Sequence, residues 1–340
     1  MKRTRIAVIG AGHWGRNHIR TVSSMTEAQL GAICEIEADK RRRLEKEYPS
    51  VPVTDSVEEA LSQADAAIIA TPASSHASLA TTVIDLGVPV LVEKPLALSV
   101  ADAESVAQLA DRKSVPVLVG HLLIFHPAVE RLKAIIDSGD LGRIYYLYSQ
   151  RVNLGQVRPD ENALWSFGPH DVSVALHLLG ELPNRVAAHG RSYLQPGIED
   201  VVFLTMEFKS GAMFHVQLSW LDPHKERRLT VVGEKKMIVW DDMQPREKLK
   251  VYDKGVDRPP AYRSYGESLS IREGDIFLPR VPNLEPLVLQ LSHFVKVANG
   301  AEPGPTSASA GVEVVRVLEA ASKSLSLDGN RVTVEKGRTG

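Results

Sequence analysis

The chain has 340 residues, 44% hydrophobic and 24% charged, which suits two ordinary globular domains and excludes a disordered or fibrous chain. Lys and Arg number 40 against 42 Asp and Glu, a formal net charge of -2, so no global field favours nucleic acid or an anionic membrane, and an anionic ligand must be held by local groups. The single cysteine, Cys34, excludes an intrachain disulfide and a cysteine-based zinc cluster, as a reducing compartment permits. The opening MKRTR is basic, but the following IAVIG is too short for a signal peptide's apolar core. No stretch approaches the roughly 18 apolar residues of a spanning helix. A soluble cytoplasmic protein is expected.

From Arg5 to about Gly120 short apolar runs alternate with helical stretches. The runs are Ile6 to Ile9, Leu30 to Cys34, Ala66 to Ala70, Val88 to Val92 and Val115 to Val119. Each is continuous in its apolar character, as strands covered by helices on both faces should be. Glu37 to Tyr48 and Ser99 to Arg112 carry helical spacing. This is the plan of a doubly wound parallel sheet, a Rossmann domain. Beyond it, Pro127 to Ser138 predicts a helix, and Arg143 to Val152, Val201 to Lys209, Ala212 to Trp220 and Arg228 to Trp240 predict β-structure. Several of these segments alternate, so an open, mostly antiparallel sheet with one exposed face is expected. Asp241 to Asn283 is rich in Pro, Gly and charge and receives no assignment. Pro286 to Ala298 and Ser309 to Leu327 return to helical periodicity, and Val332 to Val334 reads as a short final strand. The expected class is α/β: a Rossmann domain over 1–122 and a C-terminal α+β domain over 123–340 for substrate and oligomer contacts.

Gly10-Ala11-Gly12-His13-Trp14-Gly15 follows a predicted strand and opens a predicted helix, the context that a G-x-G-x-x-G turn requires. Gly10 permits the tight turn, Gly12 lets the backbone approach a pyrophosphate, and Gly15 lets helix and strand pack closely. The helix start then favours phosphate charge. Glu35 closes the next apolar run, where a carboxylate accepts hydrogen bonds from ribose hydroxyls and repels the extra phosphate of NADP. The expected cofactor is NAD. Arg41, Arg42 and Arg43 stand close enough to blur that preference. Thr71-Pro72 and Glu93-Lys94-Pro95 follow two further apolar runs, at strand ends where open α/β sheets bind ligands. His13, Thr71, Pro72, His76, Glu93 and Lys94 join the cofactor set. Trp14 is counted there too, although Trp14 and His18 suit packing beside the turn better than chemistry. Pro95 can set an unusual backbone turn at Lys94, a cis bond included.

With these motifs in hand the chain resembles the glucose-fructose oxidoreductase, inositol dehydrogenase and rhizopine-catabolism (Gfo/Idh/MocA) family. The resemblance rests on the glycine turn, ATPASSH at Ala70 to His76, EKP, GHLLIFHPA at Gly120 to Ala128, WSFGPHD at Trp165 to Asp171, and the closing helix from Pro305 to Leu327. It implies an N-terminal Rossmann domain, a C-terminal open sheet that makes homodimer or homotetramer contacts, and a reaction at a sugar or polyol carbon. It also implies that Lys94 and His170 stand at the reacting carbon. Many sugar and polyol dehydrogenases of the family carry an aspartate four residues before that histidine, where this chain has Ser166. Asp171 is no substitute, because it should point elsewhere on the helix.

RVNLG followed by NALWSFGPHD resembles members that oxidise the 3-hydroxyl of UDP-N-acetylglucosamine or its uronate. A free sugar or inositol dehydrogenase or ketoreductase, an NAD-dependent glycosidase, and a non-catalytic NAD and sugar sensor stay open. His170 suits the base, by its near-neutral pKa, and Lys94 either stabilises the alkoxide as an ammonium or is itself the base as a neutral amine. Arg151, Asn153, Arg158, Asn162, Trp165 and Ser166 join Lys94 and His170 as candidate substrate contacts, arginine suiting phosphate and asparagine hydroxyls. His121 and His126 lack a third ligand at a recognisable spacing, so no metal is expected.

Overall fold

Strand β1 (Thr4–Ile9) is buried along almost its whole length, as its unbroken apolar run requires. It leads into helix α1 (His13–Ser24), whose inward face carries Gly15, His18, Ile19 and Val22 at spacings of three and four residues. Then come β2 (Ala28–Cys34), α2 (Ala38–Glu47), β3 (Val53–Thr54), α3 (Val57–Ser62), β4 (Ala66–Ile69), α4 (His76–Asp85), β5 (Val90–Val92), α5 (Val100–Lys113) and β6 (Val117–Val119). The computed structural model describes residues 3–257, 270–335 and 337. The first two residues of MKRTR, and 258–269 of the stretch from Asp241 to Asn283, therefore lie outside the described residues.

The six strands form one parallel sheet in the order β3-β2-β1-β4-β5-β6. The order reverses beside β1, which pairs with β2 on one side and with β4 on the other, Ile6 opposite Ala66 and Ile9 opposite Ile69. Loops leaving the carboxyl ends of β1 and β4 therefore flank a switch point, the usual place for a ligand. The two-residue β3 was not among the predicted strands, being too short to carry a periodic signal.

Helix α6 (Pro127–Asp137) and strand β7 (Ile144–Leu154) follow as expected, and α7 (Ala163–Leu179) comes next. The remaining strands are β8 (Arg185–Arg191), β9 (Val201–Glu207), β10 (Met213–Ser219), β11 (Leu221–Gly233), β12 (Met237–Asp241), β13 (Leu249–Asp257) and β14 (Ser270–Phe277). After them come α8 (Pro286–Ala298), α9 (Ala308–Ser326) and β15 (Val332–Thr333). Nine strands form a second sheet in the order β14-β13-β12-β11-β7-β10-β9-β8-β15. Its pairs are antiparallel except β10 with β7. Val202, Leu204 and Met206 on β9 and Phe214, Val216 and Leu218 on β10 are buried, while Phe203 and Met213 are exposed. That alternation is the one-faced burial that the sequence pattern predicts. The segment from Arg228 to Trp240 is a hairpin of β11 and β12, and the stretch left unassigned contains β13 and β14.

Two compact units result: Met1–His126 with Leu284–Glu319, and Pro127–Asn283 with Ala320–Gly340. Helix α8 and the greater part of α9 thus belong with the first six strands. Leu287, Leu291, Phe294, Val295 and Val297 of α8 join the core made by Ile6, Val8, Ile19, Val22, Ile33 and Ile68. Each such side chain contributes about 1.5–3 kcal/mol on full burial.

Candidate active site

The glycine turn has the geometry its spacing predicts. Gly10 has φ +90° and its backbone lies so close to the next loop that a Cβ would stand 2.8 Å from Thr71 Cγ2 and 2.9 Å from the Ala70 carbonyl oxygen. A Cβ on Gly15 would stand 1.9 Å from the Gly10 carbonyl oxygen, whereas one on Gly12 would meet nothing within 4 Å. Gly12 caps α1 without a side-chain hydrogen bond, and no acidic residue occupies the first turn. Free N–H groups, open space and an uncompensated helix dipole suit a pyrophosphate. Exposed His13 and half-buried Trp14 stand at the start of α1, their rings edge to face with centroids 6.2 Å apart.

Glu35, at the end of β2, is only 6% exposed. Its Oε2 accepts the Ala11 N–H at 2.9 Å and its Oε1 that of Glu37 at 3.0 Å, so it is pinned to the glycine turn as well as aimed from the strand. Each oxygen keeps capacity for a ribose hydroxyl. Arg41 donates to the carbonyls of Glu35 and Ile36 and pairs with Asp55 at 2.9 Å, and Arg42 pairs with Asp39. Both cations are engaged locally, which removes much of their capacity to welcome a 2′-phosphate. Glu35→Ala is expected to lose most discrimination against NADP; unchanged selectivity in paired NAD and NADP binding titrations would refute the role. Cys34 beside it is no nucleophile: burial, then the charge of Glu35, pushes its thiol up to about 11.

The loops after β4 and β5 are tied together. His76, buried at the start of α4, has its Nδ1 2.7 Å from the Pro95 carbonyl and its Nε2 2.9 Å from that of Thr71. Thr71 also accepts a hydrogen bond from Ser75 Oγ at 2.8 Å, while Pro72 is exposed. The bond between Lys94 and Pro95 is cis. Half-buried Lys94 follows Glu93, whose Oε2 accepts the Lys94 N–H at 3.1 Å and whose Oε1 lies 2.8 Å from His18 Nε2. Burial raises the Glu93 carboxyl, but the hydrogen bond and charge of His18, then the Lys94 N–H and charge, bring it below the usual carboxylate range. His18 is therefore more than packing. Its signal was a histidine on the apolar stripe of α1, where a buried ring needs a partner.

His121, just beyond β6, is 1% exposed. Burial, with the charge of Lys94 and against the pull of Glu93, pushes it down to about 4. The unfolded ring titrates near 6.5, so between about 6.5 and 4 the unfolded chain binds the extra proton. Folding stability should therefore fall as pH drops through that window, by on the order of 3 kcal/mol from this group. Urea melts at pH 7 and 4.5 should show His121→Phe losing less stability than the wild type; equal losses would sink the assignment. Among the described residues no three His, Cys, Asp or Glu side chains converge as a metal site, and no helix is long and apolar enough to cross a membrane.

In the second unit the WSFGPHD block lies on a helix that was not bounded from the sequence. Helix α7 begins at Ala163, where Asn162 Oδ1 accepts the Trp165 N–H at 3.1 Å, and Pro169 lies inside it. Twelve of its residues are buried, and that packing outweighs the cost of an interior proline. His170 thus stands mid-helix, half-buried, with buried Ser166 one turn before it on the same face. Asp171 does point elsewhere: it accepts from Ser149 Oγ at 2.9 Å and pairs with Arg151 Nε at 2.5 Å. The other candidate contacts are largely occupied by structure. Asn162 caps the helix and donates to Glu199 at 2.6 Å, Arg158 pairs with Glu161 at 3.0 Å, and Trp165 Nε1 donates to Ser322 Oγ at 2.9 Å. Asn153 is half-buried near the end of β7, its amide against Gly155.

Residues 4–121 match the oxidoreductase family with an NAD-binding Rossmann fold, GFO_IDH_MocA, and residues 129–239 match that family's C-terminal domain. A crystal structure from Magnetospirillum magnetotacticum MS-1 is 34% identical, with a TM-score of 0.78 over 94% of this chain and 99% of its own. Inositol 2-dehydrogenase 2 of Saccharopolyspora erythraea is 30% identical over 63% of this chain, which spans 66% of that relative, just under two thirds. UDP-N-acetylglucosamine 3-dehydrogenase of Acidithiobacillus ferrooxidans is 25% identical over 76% of this chain and 80% of its own. Glycine turn, pinned acidic residue, EKP loop and second open sheet agree with these matches, and the chain belongs to the GFO/IDH/MocA oxidoreductase family, its first unit carrying that family's NAD-binding Rossmann domain.

Proposed function

We propose that the protein is an NAD-dependent dehydrogenase of a sugar or polyol and, more narrowly, that it oxidises a secondary hydroxyl, at C3, of a nucleotide-linked sugar such as UDP-N-acetylglucosamine or its uronate. The observation that carries the reading is Lys94, half-buried at the carboxyl end of β5 in the NAD-binding unit, its loop held by Glu93 on one side and His76 on the other. The nicotinamide, when bound, supplies the hydride acceptor. The Gly10 to Gly15 turn and Glu35 would hold its dinucleotide. His170 takes the hydroxyl proton as the substrate C–H bond gives up its electron pair, and Lys94 donates a hydrogen bond to the oxygen on which negative charge develops. A positioned base contributes roughly a hundred- to ten-thousand-fold in rate. Ser166, one helical turn before His170, replaces a carboxylate there with a hydroxyl, which can orient a ring but brings no counter-charge.

Support for the narrower substrate is the likeness to the Acidithiobacillus ferrooxidans enzyme. A free sugar or polyol is the second reading, favoured by the pairing of Arg151 with Asp171 and of Arg158 with Glu161, which spends the two guanidinium groups best suited to a diphosphate. A screen of UDP-sugars, their uronates, inositols and free sugars for NADH formation separates the two, with 2-oxoglutarate tested as a recycling oxidant. Net NADH with UDP-sugars alone supports the first; net NADH with inositols or free sugars alone moves the reading to the second. Aglycone release without net NADH, or binding without turnover, would overturn both.

A cytoplasmic setting, with a reduced Cys34, and a homodimer or homotetramer built on the second sheet belong to the same proposal. Exposed Tyr146, Tyr148, Phe203 and Met213 lie on the neighbouring strands β7, β9 and β10, an apolar face that a second copy would cover. Sedimentation that gives a monomer at micromolar concentration would remove the oligomer from it.

A further inference from the structure

Strands β7 and β11 pair in a register that sets Arg227 directly opposite Arg151. Both guanidinium groups lie on one face of the sheet. Leu147 and Ser149 precede Arg151 at alternate positions, Leu229 and Val231 follow Arg227 in the same way, and all four are buried, so the alternation of a strand puts both arginines on the covered face. Tyr146 and Tyr148 point to the exposed one. The covered face meets α7 here: Asp171, next in the chain to His170, accepts from Ser149 Oγ at 2.9 Å and pairs with Arg151 Nε at 2.5 Å.

Like charges directly opposite one another destabilise a ladder unless each is met by a counter-charge. Asp171 answers Arg151. Arg228, the next residue along β11 and therefore on the other face, is answered across its own ladder by Asp241 at 3.2 Å. Arg227 makes neither a side-chain hydrogen bond nor an ion pair among the described residues. The carboxylate next to it in the sheet belongs to Asp242, whose N–H bonds the Arg227 carbonyl at 2.9 Å, and that carboxylate pairs with Lys248 at 2.9 Å. Three cations, Arg151, Arg227 and Lys248, thus stand with two carboxylates, Asp171 and Asp242. The excess charge is placed where a ligand can reach it, since the Arg151 and Asp171 side chains are only 11% and 7% exposed while Arg227 is exposed. Arg151 and Arg158 are spent on Asp171 and Glu161; Arg227 is a guanidinium of the same unit that is not.

We propose that Arg227 is a specificity-determining residue whose guanidinium takes an oxyanion of the substrate, a sugar carboxylate or a phosphate, on the sheet face against which the His170 helix packs. The inference deepens the dehydrogenase reading and rests on it for the purpose of the site. A planar donor fork matches the two oxygens of either group, and an anion seated there would also relieve the repulsion between Arg227 and Arg151. A neutral sugar offers neither gain.

The test is calorimetric titration of the whole protein, loaded with NADH, with UDP-N-acetylglucosaminuronate, UDP-N-acetylglucosamine, UDP and D-glucuronate. Arg227→Gln should bind the uronate about ten- to a hundredfold more weakly than wild type, and Arg227→Lys, which keeps the charge without the fork, should recover part of the loss. If the oxyanion is the carboxylate, D-glucuronate weakens as well and UDP-N-acetylglucosamine does not; if it is a phosphate, UDP and both UDP-sugars weaken together and D-glucuronate does not. Arg228→Gln, on the opposite face, should bind every probe as wild type does. Wild-type affinities in Arg227→Gln, an equal loss in Arg228→Gln, or no binding of any of the four probes to the wild type would each overturn the proposal. If a probe binds through Arg227 and no sugar in the screen is oxidised, this inference stands and the dehydrogenase reading falls. Turnover of a neutral sugar that Arg227→Gln leaves untouched, with wild-type affinities for all four probes, gives the reverse.

Discussion

Lys94→Ala and His170→Ala are each expected to lower kcat by about a hundred- to ten-thousand-fold while leaving NAD affinity near wild type. In the proposed reaction both groups act where charge changes, so their loss should appear in kcat and kcat/KM together and little in ground-state binding. The double variant should be scarcely worse than either single one, because the proton acceptor and the oxyanion donor serve one transition state. The check is steady-state NADH formation with the substrate found in the screen, beside a fluorescence titration of NADH binding. A single variant that keeps full activity shows that the assigned pair is wrong. Lys94→Arg separates charge from geometry: it retains the cation and widens the donor fork, and it should rescue little, since a guanidinium does not replace a point ammonium held at a fixed distance.

The second large effect is expected from Gly15→Ala. The added Cβ would fall 1.9 Å from the Gly10 carbonyl oxygen and 2.8 Å from its carbonyl carbon, both backbone atoms. No side chain can swing away, so the turn itself must open. Overpacking against a rigid partner costs about 1–3 kcal/mol and often more when backbone has to move, and the displaced turn would also lose its grip on Glu35 through the Ala11 N–H. Both melting temperature and NAD affinity should fall. Gly12→Ala is the informative contrast. Nothing lies within 4 Å of its Cβ position, so its melting temperature should stay near wild type while NAD binding weakens, because the new methyl stands where the pyrophosphate would approach. A Gly12→Ala protein that binds NAD normally would refute that placement.

The first unit was read closely from sequence because its signals are local. Five apolar runs are long enough to show burial on both faces, and Gly10, Gly15 and Glu35 act through backbone and spacing that any strand-turn-helix imposes. Helix α8 was also placed from periodicity alone, Pro286 to Ala298. What the sequence could not show is which unit that helix joins, since membership depends on contacts hundreds of residues apart. Helix α7 received no bounds from the sequence for a different reason. Gly168-Pro169 is a strong local breaker, and only tertiary burial explains why the helix runs through it. The roles of Asn162 and Arg151 were invisible for the same cause: a cap is a property of where a helix begins, and the partner of Arg151 lies twenty residues away on another element. The pair of His18 with Glu93 spans 75 residues and leaves in sequence only a histidine on an apolar stripe.

The return of α8 to the first unit also constrains how the chain is made. As it emerges residue by residue, its cofactor sheet is complete once β6 has appeared, yet the apolar surface meant for Leu287, Leu291 and Phe294 stays uncovered. The intervening unit must be synthesised before that surface closes. Domains ordinarily fold as units in order of synthesis, but here the first unit is finished by a segment made after the second unit has largely emerged, and a nascent chain stalled before Leu284 would present a sheet with an open flank to the quality-control machinery.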